Sequence, residues 1–317
     1  MNLLFIMLGV VILVLGATWL VEGASSIAKR LGISALTIGL TVVAFGTSAP
    51  ELLVNLISSL EGSSDIAIGN VLGSNIFNTF MILGLAALIK PVGVQHSTVK
   101  IEIPFFLLSA LALWVLSNGM FLDSATLNVI SRSAGLVLLL LFCVFMYYNF
   151  LIGKEDPAST STEIKTRKLW LSILMVVGGL SFLVGGGKLI VFGAVNMATK
   201  LGVSQSIIGL TIVAAGTSLP ELATSAVAAY RNKPDIAIGN VVGSNIFNIL
   251  LVLDLTSSIN PIKLYSGANF DLTLNIVAGI LMLVFAVSGP GRKFDRREGM
   301  ILVMVYLVYL TYLIINA

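Results

Sequence analysis

A chain of 317 residues that is 57% hydrophobic and only 10% charged cannot hide its apolar surface in a soluble fold, and a mean hydropathy of +1.03 says the same. The net charge of +3 forms no patch suited to nucleic acid, and the single cysteine, Cys143, excludes an intrachain disulfide. Most of the chain falls into apolar runs of about 18–25 residues, the length needed to cross ~30 Å of hydrocarbon.

Taken in order, the runs predict ten spans, Leu3–Val21, Ser34–Leu60, Asp65–Ile89, Ile101–Leu116, Asn128–Phe150, Leu169–Leu189, Ser204–Tyr230, Asp235–Ile259, Asp271–Ser288 and Gly299–Ile315. The first lacks a basic n-region and belongs to an internal repeat, so it reads as a mature helix and not a cleaved signal. Between the fifth and sixth spans, residues Gly153–Lys168 are polar, charged and rich in Pro, Ser and Thr, which marks a linker too short to fold as a domain. The expected organisation is a first repeat over 1–152, a cytoplasmic linker over 153–168 and a second repeat over 169–317.

Five spans per half is an odd number, so the second half must lie upside down relative to the first. Loop charge tests this. One side receives Lys29, Arg30, Lys90, Lys100, Lys154, Lys165, Arg167, Lys168, Arg231, Lys233, Arg292, Lys293, Arg296 and Arg297, fourteen cations against Lys200 and Lys263 on the other; Arg132 and Lys188 fall within or near spans. By the positive-inside rule the linker is cytoplasmic and both termini lie outside a multi-pass cell-membrane protein. The fold class is all-α and polytopic, with ten transmembrane helices in two inverted five-helix repeats and broken helices at the midplane, a pattern of secondary transporters.

The repeat is legible residue by residue. Gly39 to Asn78 reads GLTVVAFGTSAPELLVNLISSLEGSSDIAIGNVLGSNIFN, and Gly209 to Asn248 reads GLTIVAAGTSLPELATSAVAAYRNKPDIAIGNVVGSNIFN, with every matched pair 170 positions apart. Pro50 removes a backbone donor inside an apolar run and should release carbonyls near Phe45 and Gly46, while Gly46 eases the bend. Freed carbonyls, the hydroxyls of Thr47 and Ser48 and the carboxylate of Glu51 are hard oxygen donors of the kind Ca²⁺ or Na⁺ requires. Irregular backbone at such depth survives only where protein buries it or it lines a wet cavity. On the following helix Ser74 and Asn78 share a face four residues apart, and Gly69 and Gly73 allow close approach of a neighbour. Ser244, Asn248, Gly239 and Gly243 repeat the arrangement, so four helix segments should meet at the centre with Glu51 and Glu221 facing each other. No lysine or arginine lies at comparable depth on these helices. A divalent cation, two monovalent cations or protons would each discharge the pair.

Other polar residues read as structural. Asn55, Asn75 and Asn245 are expected to bond between helices, Asp65 and Asp235 to cap helix N-termini, and His96 to have no role. Asp254 has Gly84 as its repeat partner and lies six residues after Asn248, off the presumed ligand face, where it reads as a protonated packing residue first, with a proton relay or a plain substitution as the alternatives. A channel would more typically ring a pore with subunits, and oligomerisation is not required here. A serine mechanism at Ser48 would need a base, but the one histidine is in a loop, so no enzyme is expected.

With GTSxPE followed by GNxxGSNxxN, twice, the chain resembles the sodium/calcium exchanger family of the calcium/cation antiporter superfamily over nearly its whole length. The resemblance implies an antiporter that exchanges Ca²⁺ for Na⁺ at central cation sites reached alternately from each side. It places metal ligands at Thr47, Ser48, Glu51, Ser74 and Asn78, with Thr217, Ser218, Glu221, Ser244 and Asn248, and adds the main-chain carbonyls of Ala44 and Ala214. The first and sixth spans would slide as gates across the core. No resident cofactor is implied; the partners are transported Ca²⁺ and Na⁺ or H⁺, and the lipid bilayer. One position departs: several sodium/calcium members carry aspartate where this chain has Asn248. Proton/calcium members also use asparagine there, although their first motif differs, and an H⁺/Ca²⁺ antiporter is the alternative.

Overall fold

The computed structural model describes residues 2–122, 127–153, 166–202, 214–288 and 291–316. Eight of its helices are long and apolar enough to cross a membrane, and a pair bent by 44° makes a ninth span. In chain order they are α1 (Asn2–Leu31), the bent pair α2 (Ala35–Thr47) and α3 (Ala49–Leu60), α4 (Asp65–Ile89), α5 (Thr98–Ser117), α6 (Arg132–Leu151) and α7 (Leu169–Lys200). The shorter α8 (Leu219–Tyr230) follows, then α9 (Pro234–Ile259), α10 (Ala268–Ser288) and α11 (Arg296–Ile315). The seventh expected span, from Ser204, is described only from the helical turn Ala214–Thr217 onward, and the linker lies mostly outside the described residues.

Helices α1 and α7 run about ten residues beyond the sequence-based limits of Val21 and Leu189. Hydropathy marks where lipid ends, and backbone hydrogen bonding carries the helix further. Glu22, which closed the first apolar run, bonds to Arg167 at 3.0 Å and Arg231 at 2.5 Å, and Lys233 donates to Ser25 at 2.6 Å. The repeat counterparts of Glu22 and Arg231 are Phe192 and Glu61, so this ionic cluster has no mirror image on the opposite face.

Packing sorts the helices. In α9, 94% of the apolar stretch is buried and in α4 72%, against 17% in α11, so α4 and α9 form the centre and the rest shield it from lipid. Small residues make such burial possible. A Cβ on Gly239 would meet the Leu36 carbonyl at 2.9 Å, and one on Gly243 the Leu40 carbonyl at 2.7 Å, so α9 lies directly against the α2 backbone. The neighbours expected for Gly69 and Gly73 fall outside the described residues. Symmetry governs the outer layer, where α6 packs on α9 and α11 on α4.

The same device joins α1 to α7. Glycines recur every seven residues at Gly9, Gly16 and Gly23, and 170 positions later at Gly179, Gly186 and Gly193. Seven residues is about two helical turns, which keeps them on one stripe. A Cβ at Gly9 would stand 2.8 Å from the Gly186 carbonyl, and one at Gly16 2.8 Å from that of Gly179. The two long helices touch backbone to backbone.

Two short antiparallel pairings report the sense of the halves. Val92 and Gly93 pair with Phe294 and Lys293, and Val129 and Ile130 with Lys263 and Ile262. The loop after the third span of the first half thus meets the loop after the fourth span of the second, which requires the halves to be inverted. Cations crowd the linker face enough to be felt by His96, whose pKa is lowered by Arg292 and then Lys100.

Gly16→Leu should separate α1 from α7 and lower the melting temperature in detergent, whereas Gly185→Ala, where an added Cβ meets nothing within 4 Å, should be neutral or slightly stabilising. A monodisperse Gly16→Leu protein with parental melting would show that the close approach carries no stability. Arg292→Gln should move the NMR titration of His96 upward, because one cation that disfavours the imidazolium is removed.

Candidate cation site

The centre is built by two matching breaks. Ser48 (φ −83°, ψ 4°) and Ser218 (φ −90°, ψ 6°) leave helical geometry for the sparsely populated bridge region. Pro50 and Pro220 follow in the first turn of α3 and α8, where a missing N–H costs least. The break therefore falls at the serine, two residues after the glycine expected to ease it, and Ser48 N–H still reaches the Ala44 carbonyl at 3.0 Å. Its consequence is electrostatic. Each break creates a helix N-terminus inside the bundle, with Glu51 or Glu221 in its first turn, where the helix dipole favours negative charge.

The carboxylates are bound crosswise. Ser218 Oγ donates to Glu51 Oε1 at 3.0 Å and Ser48 Oγ to Glu221 Oε1 at 3.0 Å, so each glutamate is held by the other repeat's serine. Exposure is 0% for Glu51 and 1% for Glu221, and each feels no basic partner: among the described residues every ion pair lies elsewhere. Ser74 Oγ is 3.1 Å from Ser218 Oγ, which brings α4 into the cluster. Thr47 Oγ1 lies 3.1 Å from Asn240 Oδ1 and 3.3 Å from the Ala44 carbonyl, and Thr217 Oγ1 lies 3.5 Å from Asn70 Oδ1. Ala214 opens the turn that carries Thr217.

Asn78 and Asn248 sit on π-helical stretches, Phe77–Ile82 and Asn248–Val252, that widen α4 and α9 at matching places. Among the described residues, both Asn78 side-chain polar atoms, Asn248 Oδ1, Ser244 Oγ, Glu51 Oε2 and Glu221 Oε2 are buried with no partner at hydrogen-bond geometry, although Ser244 stands beside Glu221. A buried unsatisfied polar atom costs about 1–3 kcal/mol, so their gathering on the repeated motif needs an explanation that ordinary packing does not supply. No group of three or more His, Cys, Asp or Glu occurs among the described residues. The available donors are carboxylate, hydroxyl, amide and carbonyl oxygens, a set suited to hard cations.

Several polar residues fall where the sequence did not put them. Asn75 donates to the Asn245 carbonyl at 3.1 Å and Asn245 to Thr79 Oγ1 at 2.8 Å, joining the two central helices as expected. Asn55 instead bonds within its own helix, to the Glu51 carbonyl at 3.0 Å. Asn248 is shared, because its Nδ2 donates to Asn75 Oδ1 at 3.0 Å while Oδ1 stays free. Asp65 and Asp235 are not N-caps: Ser63 and Lys233 hold those positions, and the aspartates lie two residues further in, in the first turn, where the dipole still favours them. Asp254 faces α6, with Ser258 Oγ on Oδ1 at 3.3 Å, and stands apart from the glutamates. Two more acids prove buried at span ends: Glu102 accepts from Tyr148 at 3.0 Å, and Asp271 from Tyr309 at 3.0 Å and from Tyr265. The sequence alone marks neither as buried, since a span end reads as polar.

The sequence reading also passed over Asn70 and Asn240. The signal was present, because GN precedes GSN identically in both copies, but the glycine in that pair drew attention to packing.

Comparison with known proteins bears on these features. The model of the sodium/calcium exchanger protein family matches residues 1–151 and 171–315. The chain is 38% identical over 315 residues to the putative antiporter CaxA of Alkalimonas amylolytica, covering 96% of each. It is 34% identical over 344 residues to the sodium/calcium exchanger MaX1 of Methanosarcina acetivorans, covering 98% of each. The solved structure of the sodium-calcium exchanger NCX_Mj soaked with Na⁺ and Sr²⁺ superposes with a TM-score of 0.84 at 31% identity, over 98% of this chain and 97% of that one. With its inverted halves, its breaks and its twinned motif, this chain belongs to the sodium/calcium exchanger family of the calcium/cation antiporter superfamily, as a multi-pass membrane transporter and not an enzyme.

Proposed function

We propose that this protein exchanges Ca²⁺ for Na⁺ across the cell membrane by alternating access, with both ions competing for one central site. Glu51 and Glu221 supply its charge. Thr47, Ser48, Ser74 and Asn78 with Thr217, Ser218, Ser244 and Asn248, and the carbonyls of Ala44 and Ala214, supply the remaining oxygens. The observation that carries this reading is the buried pair of glutamates, each bonded by the opposite repeat's serine and neither paired with a base. Two carboxylates balance one Ca²⁺ or two Na⁺, so either load leaves the core neutral, and an empty site carries uncompensated charge that resists crossing.

Alternation would come from the α1–α7 pair sliding past α4 and α9, since two helices in glycine contact move most easily as one body. The excess of cations in the loops assigns the linker face to the cytoplasm and both termini to the outside, with residues 153–168 joining the repeats.

A second reading is supported by the amides at Asn78 and Asn248. With two acids instead of three, two protons would discharge the site as completely as two Na⁺, and the exchanger would couple Ca²⁺ to H⁺.

In proteoliposomes, ⁴⁵Ca²⁺ uptake is expected under an outward Na⁺ gradient; uptake driven only by a proton gradient would select the second reading. Glu51→Gln and Glu221→Gln should each abolish uptake while the protein elutes and melts as a folded species. Flux retained in either variant would refute the shared site.

A further inference from the structure

Accepting the cation site proposed above, we infer that Asn240 is its positioning residue: by taking the Thr47 proton it leaves Thr47 Oγ1 and the Ala44 carbonyl turned out as cation ligands. Asn240 is fully buried on α9 and joins three elements. Its Oδ1 faces Thr47 Oγ1 at 3.1 Å on the other repeat. Its Nδ2 donates to Ser225 Oγ at 2.9 Å and to the Glu221 carbonyl at 3.3 Å on α8.

These contacts fix which way the amide points. The Glu221 carbonyl can only accept, so the nitrogen must lie on the α8 side and the oxygen must face Thr47. A flipped amide would aim a donor at Thr47 and leave the Glu221 carbonyl opposite an oxygen.

The threonine hydroxyl has one proton and two lone pairs. A cation takes lone pairs, so on loading the proton has to point away from the site. The Glu221 carboxylate beside Thr47 would not receive it then, because its lone pairs would be engaged by the bound cation. Two acceptors remain, Asn240 Oδ1 at 3.1 Å and the Ala44 carbonyl at 3.3 Å. The Ala44 carbonyl already receives Ser48 N–H at 3.0 Å, and a second hydrogen bond would occupy its other lone pair. Without Asn240 the hydroxyl turns to Ala44, and the carbonyl loses to that hydrogen bond the lone pair it would offer the cation.

The other repeat is built more loosely. Thr217 Oγ1 stands 3.5 Å from Asn70 Oδ1, and Asn70 Nδ2 has no hydrogen-bond partner among the described residues. The counterpart of Ser225 is Asn55, whose own Nδ2 has taken the Glu51 carbonyl. Replacing Asn70 should therefore matter less than replacing Asn240.

The test is a double-mutant cycle read by Ca²⁺-dependent thermal stabilisation of the purified full chain, with the half-saturating Ca²⁺ as the measured quantity. N240L and T47V should each raise it about tenfold, in the range seen when groups that orient metal ligands are removed. The double variant should be no weaker than T47V alone, because Asn240 acts through Thr47. N240D keeps an acceptor toward Thr47 and should lie closer to the parent than N240L. Melting in chelator separates folding from binding, and N240A replaces N240L if the latter does not fold. A parental half-saturation in N240L, or losses that multiply in the double variant, would overturn the inference while leaving the exchanger reading intact. A parent stabilised by no cation would overturn both.

Discussion

Two carboxylates buried in a lipid-depth core without a base are the constraint to which the rest of this structure answers. The effective penalty for an unpaired charge in such surroundings is several kcal/mol per ion. The fold lowers it by every local means available. A break in each repeat sets Glu51 and Glu221 on helix N-termini, and a serine from the opposite repeat donates to each. What these means leave over is a set of buried oxygens on the repeated motif, among them Glu51 Oε2, Glu221 Oε2 and Asn248 Oδ1, with no hydrogen-bond partner among the described residues.

Around that site the molecule divides into a central body and a pair of long helices. The central body is stitched across the repeats by amides: Asn75 to Asn245, Asn245 to Thr79 and Asn248 to Asn75. Hydrogen bonds are electrostatically stronger in a low-dielectric core, so these three ties hold the central helices together. The α1–α7 pair has a different chemistry, a close-packed glycine seam between two long helices with apolar outer faces. Such a seam is tight within the pair and makes few directional bonds outside it.

The exception is the linker face. Glu22 on α1 reaches Arg167 at the start of α7 and also Arg231 beyond α8, and Lys233 reaches Ser25. Their repeat counterparts include Phe192 and Glu61, so these ionic ties of the pair to the central body belong, among the described residues, to the linker face. An inverted repeat would otherwise make the two ends equivalent. Here side-chain chemistry breaks an equivalence that the backbone keeps.

Much of this was legible in the sequence. Run length and composition gave a polytopic helical membrane protein, the odd number of spans per half and the loop charges gave inversion, and the exact 170-residue repeat pointed to Glu51, Glu221 and their hydroxyl neighbours. These succeed because lipid imposes one-dimensional rules: a span must be long and apolar, and a charge inside it stands out. Tertiary structure alone decided the partners. That Ser48 serves Glu221 and not Glu51, that Asn240 reaches Thr47 across the repeats, that Asp254 turns toward α6, and that Glycines 9, 16 and 23 meet a helix of the other half are facts of approach between distant segments. A hydrogen bond is settled over about 3 Å. Sequence spacing fixes the face of a helix on which a residue lies, but which neighbour comes that close is set by how the whole bundle packs.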